Sequence, residues 1–112
     1  MKVSTPRVLE LTVGSTAIIR ATLVSSYEQG LPANTSGATS AVLSISESLD
    51  STPFYIKTGA ISEGIATFSP SQGEANAWSP GTYVGMITTV YPSGVDKTDW
   101  FHVAIAKSLP HA

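Results

Sequence analysis

Apolar and polar residues alternate with a period of two along most of this chain. In residues 16–26, Ile19 and Leu23 share one side of the backbone and Arg20 lies on the other. A period of two is typical of a β-strand that places one face on a core. The pattern recurs in about seven segments. These segments are residues 7–13, 16–26, 38–48, 54–60, 65–69, 82–91 and 98–106.

No segment shows a helical repeat, and Gly, Pro, Asn and Ser separate the predicted strands. The pattern predicts one all-β domain, an immunoglobulin-like antiparallel β-sandwich of about seven strands. A jelly roll or a small barrel stays open as the alternative. The sandwich is predicted over residues 8–106, with an N-terminal arm at 1–7 and a C-terminal tail at 107–112. Long loops are predicted at residues 27–37 and 69–81.

The predicted strand at residues 82–91 is unusual because both of its faces are largely apolar or neutral. We expect Tyr83 and Ile87 to face the core. The alternative assignment, in which Val84, Met86 and Val90 face the core, stays open. Together with the last strand, the predicted outer set is Val84, Met86, Val90, Trp100 and Ala104. A contiguous outer strip of apolar side chains predicts a protein interface.

Charge is scarce in this sequence, and its distribution narrows the possible functions. Charged residues make up 12% of the chain, against about 25% in typical globular domains. The six Lys and Arg residues are scattered and the net charge is −2, so we predict no nucleic-acid binding. No apolar run approaches the roughly 20 residues of a membrane-spanning helix. The low charge favours a surface that other protein subunits cover.

The sequence offers no convincing catalytic or metal-binding constellation. His102 and Asp99 could be combined with one of many serines, but no Gly-x-Ser-x-Gly elbow supports such a site. The acidic residues do not form a calcium-loop pattern, and there is no cysteine. We therefore predict that the protein is not an enzyme and that it uses no metal and no cofactor.

The turn before residues 82–91 matches the sequence pattern of a tyrosine corner. Pro80 and Gly81 form a turn dipeptide directly before Tyr83. In immunoglobulin-like sandwiches, a tyrosine at this corner donates a hydrogen bond back to the backbone a few residues upstream. Tyr83 is therefore a candidate for a tyrosine corner, and an ordinary turn followed by an interfacial tyrosine is the alternative. Gly85 stands where an antibody domain has its second cysteine.

Several short motifs resemble the immunoglobulin-like N-terminal domain of phage baseplate upper proteins. They are Gly37-Ala38-Thr39, Gly64, Pro80-Gly81-Thr82-Tyr83 and Gly94, and the resemblance covers roughly residues 16–105. The resemblance implies a structural virion protein, either a capsid decoration (cement) protein or a tail accessory protein. The implied partners are major capsid or tail proteins and further copies of the chain, as in a trimer. Proteins of that family are usually longer, so we expect a single-domain relative.

A carbohydrate-binding or adhesion module is the alternative function. Large aromatic side chains pack against sugar rings, and Trp78, Trp100 and Tyr91 are the candidates for such a platform. Aromatic residues are also enriched at protein interfaces, and the scarcity of charge favours the interface.

Overall fold

The computed structural model describes residues 2–5, 8–24, 35–98 and 100–107. Nine strands and one short helix lie in these ranges. The strands are β1 Lys2–Thr5, β2 Val8–Thr12, β3 Ile19–Val24, β4 Ser40–Ser46, β5 Tyr55–Ser62, β6 Ile65–Phe68, β7 Gly81–Tyr91, β8 Gly94–Lys97 and β9 Phe101–Ala106, and the helix is α1 Gln72–Asn76.

The strands follow one continuous order, β1-β3-β6-β5-β4-β7-β9-β2, which folds over at β5 into two layers. Residues 55–59 of β5 pair with β4, and residues 60–62 pair with β6. Sheet A therefore contains β1, β3, β6 and the end of β5. Sheet B contains the start of β5, β4, β7, β9 and β2, with β8 paired to β7. Immunoglobulin-like sandwiches divide their strands in this way, and the predicted all-β sandwich is confirmed.

The core lies between the two sheets and follows the alternation read from the sequence. In β4, Ala41, Leu43 and Ile45 are fully buried, and the residues between them are partly exposed. Leu23 and Phe68 meet them from sheet A. This core explains why the chain needs no disulfide, since a domain of about 100 residues buries enough apolar surface to be stable alone.

The structure corrects the predicted boundaries and strand directions in four places. Residues 2–5 of the predicted arm form β1, which pairs with β3, so the sandwich begins before residue 8. Between β1 and β2 the chain crosses from sheet A to sheet B. There β2 runs parallel to β9, which makes sheet B mixed rather than antiparallel. A short strand, β8, occupies part of the predicted turn after β7.

The fourth correction is α1, which lies inside the loop predicted at residues 69–81. Its start is a capping box, in which the backbone N–H of Glu74 donates to Ser71 Oγ and the Ser71 N–H donates to the Glu74 carboxylate. The Ser71 N–H and then the Lys57 ammonium lower the pKa of the Glu74 carboxyl. The predicted loop at residues 27–37 lies mostly outside the described residues.

Gly59 marks the point at which β5 leaves β4 for β6. A Cβ atom at this position would collide with the carbonyl oxygen of Thr67 and would lie 2.6 Å from Cδ1 of Phe68. The backbone oxygen cannot move aside without breaking the pairing between β5 and β6. The close approach of the two sheets at this point therefore requires glycine.

We expect Gly59→Ala to lower the free energy of unfolding by about 3 kcal/mol or more, because of this backbone collision. Gly73→Ala is the matched control, since a Cβ there meets nothing within 4 Å. In α1 that change should be neutral or stabilising by about 0.5–1 kcal/mol. Urea unfolding of the two variants measures both effects, and equal stabilities would contradict the assigned role of Gly59.

Candidate protein-docking face on sheet B

Burial shows which face of β7 points into the core. Gly85, Ile87 and Thr89 are buried against the core, whereas the residues between them are only partly covered. Val84, Met86 and Val90 therefore point away from the core, as in the first of the two assignments that the sequence left open. The reason is the neighbouring strand β4, whose apolar residues occupy the same side of the sheet as Ile87.

The outer side chains of β7 continue across neighbouring strands in register. Val84 lies opposite Ser46 on β4 and opposite His102 on β9. His102 in turn lies opposite Val8 on β2. Directly opposed residues on one sheet face are in contact range. This row therefore crosses four strands and contains no Asp, Glu, Lys or Arg side chain.

A second row runs from β7 toward the other edge of sheet B. Met86 lies opposite Ser44 on β4, and Ser44 lies opposite Ile56 on β5. Ile56 is 60% exposed. The sequence pointed to Met86 but missed Ile56. The signal was present, because Ile56 alternates with the buried Tyr55, but the pairing of β5 with β4 was needed to place it on this face.

Trp100 lines a groove of about 210 Å³ on this face, and 47% of its surface is exposed. Val84 and Met86 form part of the groove, and the exposed Leu49 lies at it from the turn after β4. The Trp100 ring packs edge-on against His102, with ring centres 5.1 Å apart. Ala104, the remaining predicted interface residue, lies opposite Glu10 on the same outer face and is partly buried.

We define the outer face of sheet B as the outward side chains of β2, β4, β5, β7, β8 and β9, with Trp100 and Leu49. Eight large apolar side chains are exposed in the described part of the chain, and five of them belong to this face. They are Val8, Leu49, Ile56, Val95 and Trp100. Glu10 and Lys97 are the charged groups among its described strands. The face is thus more apolar than an ordinary solvent-exposed surface.

Thr98 closes a break in the sheet directly beside Trp100. Along one edge, β7 pairs first with β9 and then with β8. Between them, the Ile87 N–H donates to Thr98 Oγ1 at 3.0 Å, and the Thr98 N–H donates to the Ile87 carbonyl at 2.9 Å. Thr98 is buried. This pair of bonds fixes the backbone two residues before Trp100 and thereby positions the indole on the outer face.

Thr98→Val should cost about 1–3 kcal/mol of unfolding free energy, since it leaves the buried Ile87 N–H without its acceptor. Thr89→Val is the matched control. The Thr89 hydroxyl is fully buried and has no partner in the described part of the chain, so that change should be neutral or stabilising. Thermal unfolding of both variants is the measurement, and an equal loss in both would refute the bridging role of Thr98.

Tyr83 has the geometry required of a tyrosine corner. Its hydroxyl donates to the carbonyl oxygen of Ser79 at 2.7 Å, four residues upstream. Its ring packs on Phe54 with centres 4.9 Å apart. A Cβ at Gly85 would lie 2.7 Å from the Phe101 ring, so the core side chain fills the space that a disulfide would need. This corner holds the start of β7.

Tyr83→Phe should lower the free energy of unfolding by about 0.5–1.5 kcal/mol through loss of the bond to Ser79. Tyr55→Phe is the contrasting variant, because the Tyr55 hydroxyl is buried and has no partner among the described residues. Burial and then the Glu74 charge raise the Tyr55 pKa to about 12. Denaturant unfolding curves at neutral pH should show a lower free energy of unfolding for Tyr83→Phe only. A loss for Tyr55→Phe but not for Tyr83→Phe would exclude the corner bond as a stabilising contact.

The aromatic platform proposed for sugar binding is not assembled, which corrects that alternative. Trp78 is only 5% exposed and packs edge-on against Tyr55, with ring centres 5.4 Å apart. Tyr91 shares the strand parity of the inward-facing Ile87 and Thr89, whereas Trp100 lies on the outer face. Trp78 was misplaced because the sequence put it in a loop, and the corner before β7 instead folds it into the core.

The described residues contain no cluster of three or more His, Asp or Glu side chains able to hold a metal ion. His102 is exposed and packs on Trp100, while Asp99 and His111 lie outside the described residues. None of the helices in the described ranges has the length and hydropathy needed to cross a membrane.

No protein-family model matches the chain, and no curated protein matches it. Among solved structures, the chain is similar to the crystal structure of CopC from Methylosinus trichosporium OB3b. The sequence identity is 8% and the TM-score is 0.48, over 100% of this chain and 96% of CopC. At this level of similarity we draw no conclusion from the comparison.

Proposed function

We propose that this protein is a non-enzymatic structural module that docks on other protein subunits through the outer face of sheet B. The observation that carries the proposal is the concentration of exposed large apolar side chains on that face. Contiguous apolar patches on soluble domains mark interaction sites. Trp100 and Met86 are of the residue types enriched at the centres of protein interfaces.

The energy available from this face supports stable docking. Burial of one large apolar side chain contributes roughly 1.5–3 kcal/mol, before the cost of association. Ile56 and Trp100 are both more than 40% exposed, so both have surface left to bury. The face has few charges to orient a small polar ligand. Four of the residues that line the groove with Trp100 are serines, and Lys97 is the charged residue among them. A protein surface with few charges and exposed apolar side chains is the partner that this chemistry fits.

We place this module in a phage virion, as a capsid decoration protein or a tail accessory protein. The support is the resemblance of Gly37-Ala38-Thr39, Gly64, Pro80-Gly81-Thr82-Tyr83 and Gly94 to the immunoglobulin-like domain of phage baseplate upper proteins. The partners are then major capsid or tail proteins and further copies of this chain. Closed symmetry is the usual arrangement for such homo-oligomers.

The test is light scattering over a concentration series, comparing the chain with an Ile56→Ser, Trp100→Ser double variant. We expect an oligomer whose dissociation constant rises at least about 30-fold in the variant, as for loss of an interface centre worth about 2 kcal/mol. Ile65→Ser is the control, because Ile65 is 38% exposed on the outer face of sheet A. It should leave the oligomer unchanged.

A monomer at tens of micromolar would refute self-association, and binding to purified empty capsids and tails is then measured by co-sedimentation. Binding that the double variant loses and Ile65→Ser keeps would support docking on a virion surface. No binding to either particle would overturn the proposed function. Unfolding curves of all variants check that each variant is folded, so that a change in mass or binding reports association.

A further inference from the structure

The sandwich is open along the edge formed by β2 and β3. Strand β2 is the last strand of sheet B and pairs only with β9 in the described part of the chain. On the facing edge of sheet A, β1 pairs with β3 only from Thr22 to Val24. On the side away from β6, the start of β3 has no strand partner among the described residues, and the outer edge of β2 has none either. Free strand edges present unpaired backbone donors and acceptors.

A groove of about 590 Å³ separates these two edges. Its lining includes the core side chains Leu9, Leu11 and Ile19, and also Ile18, which is 60% exposed. Trp78 lines it as well. The Trp78 Nε1 group is buried and has no hydrogen-bond partner in the described part of the chain. Seven of the eleven lining residues are apolar, and a groove of this volume is within the size range of ligand-binding sites.

We propose that this groove binds an extended segment of another protein, which adds to β2 as a new edge strand. Backbone hydrogen bonds to the free edge of β2 would supply affinity, and alternate side chains would enter the space between the sheets. Strand addition of this kind is an established mode of peptide recognition. The groove shares Val8 and Glu10 with the outer face of sheet B, but Trp100 and Met86 do not line it. The added segment would extend that sheet by one strand.

Two strands of a second copy that have a free edge among the described residues, β2 and β8, fit this groove poorly. A partner's β2 would bring Leu9 and Leu11, which are already committed to its own core. Strand β8 is exposed on both sides, but Lys97 lies on one side and Asp96 on the other. Either side of β8 would insert a charge between the sheets, and an unpaired buried charge is strongly unfavourable. We therefore take the occupant to be a segment of a different chain with apolar residues at alternate positions, and a second copy is the competing occupant that the experiment distinguishes.

Charge defines the occupant further. Glu10 lies on β2 and Arg20 lies on β3, and both line the groove. The ion pair found among the described residues joins Lys57 and Glu74 and involves neither of them. Opposite charges facing one another on adjacent strands stabilise pairing, and like charges oppose it. The segment should therefore carry Lys or Arg beside Glu10, and an acidic group within reach of Arg20.

The test is selection from a display library of random peptides of roughly nine residues, the length of a long strand, on the immobilised chain. We expect enrichment of peptides that alternate apolar and polar residues and carry a central Lys or Arg. The best peptide, made synthetically, should slow hydrogen exchange of β2 amides. Replacing the central Lys or Arg of this peptide by Glu should weaken binding about tenfold. The Glu10→Lys variant of the protein should instead bind the Glu-containing peptide more tightly than the original peptide.

Ile18→Lys should abolish peptide binding without unfolding the chain, because this side chain is exposed. Trp100→Ser should leave peptide binding unchanged, so that failure of this proposal is distinguishable from failure of the proposed docking face. The proposal is overturned by a selection that enriches no alternating peptide, or by exchange protection that maps away from β2. A change in oligomer mass on Ile18→Lys would instead identify a second copy as the occupant and would also overturn it.

Discussion

The close approach of β5 to β6 at Gly59 is the constraint on which the rest of this structure depends. At that point one strand stops pairing with β4 in sheet B and starts pairing with β6 in sheet A. Because the strand is continuous, the two layers are held at a fixed spacing and the core residues of both meet between them. The absence of a side chain at Gly59 lets the backbones come together. The inner and outer faces of every neighbouring strand follow from that crossing.

The outer face of sheet B is the main consequence for function. Once Ile87 and Leu43 are buried, period-two alternation forces Val84 and Met86 to the outside. Thr98 then accepts a hydrogen bond from Ile87 at the point where β7 changes its pairing partner from β9 to β8. Trp100 follows and lies beside Val84 and Met86 on the same face. The apolar side chains on this face are therefore placed by the same pairing that builds the core. A sequence with few charges has little to oppose association at such a face.

At the edge of the sandwich formed by β2 and β3, the two sheets differ in how far a neighbouring strand covers them. At residues 2–5 the chain belongs to sheet A, and from Val8 it belongs to sheet B. This crossing covers part of the β3 edge but leaves its start and the whole outer edge of β2 without a strand neighbour in the described part of the chain. The groove between them arises from the same crossing that makes β2 parallel to β9. Edge strands are the positions at which sheets accept further strands.

The sequence by itself determined the all-β class, most strand positions and the apolar character of both faces of β7, because alternation and turn residues are local properties. It also identified Tyr83 as a corner candidate from the Pro80-Gly81 turn before it. It could not place Trp78, since a residue in a predicted loop looks exposed until the corner folds it against Tyr55. It could not add Val8 and Ile56 to the face of Val84 and Met86, because that requires the register of five strands. Only the tertiary structure decided these placements, since strand pairing joins residues that are far apart in the chain.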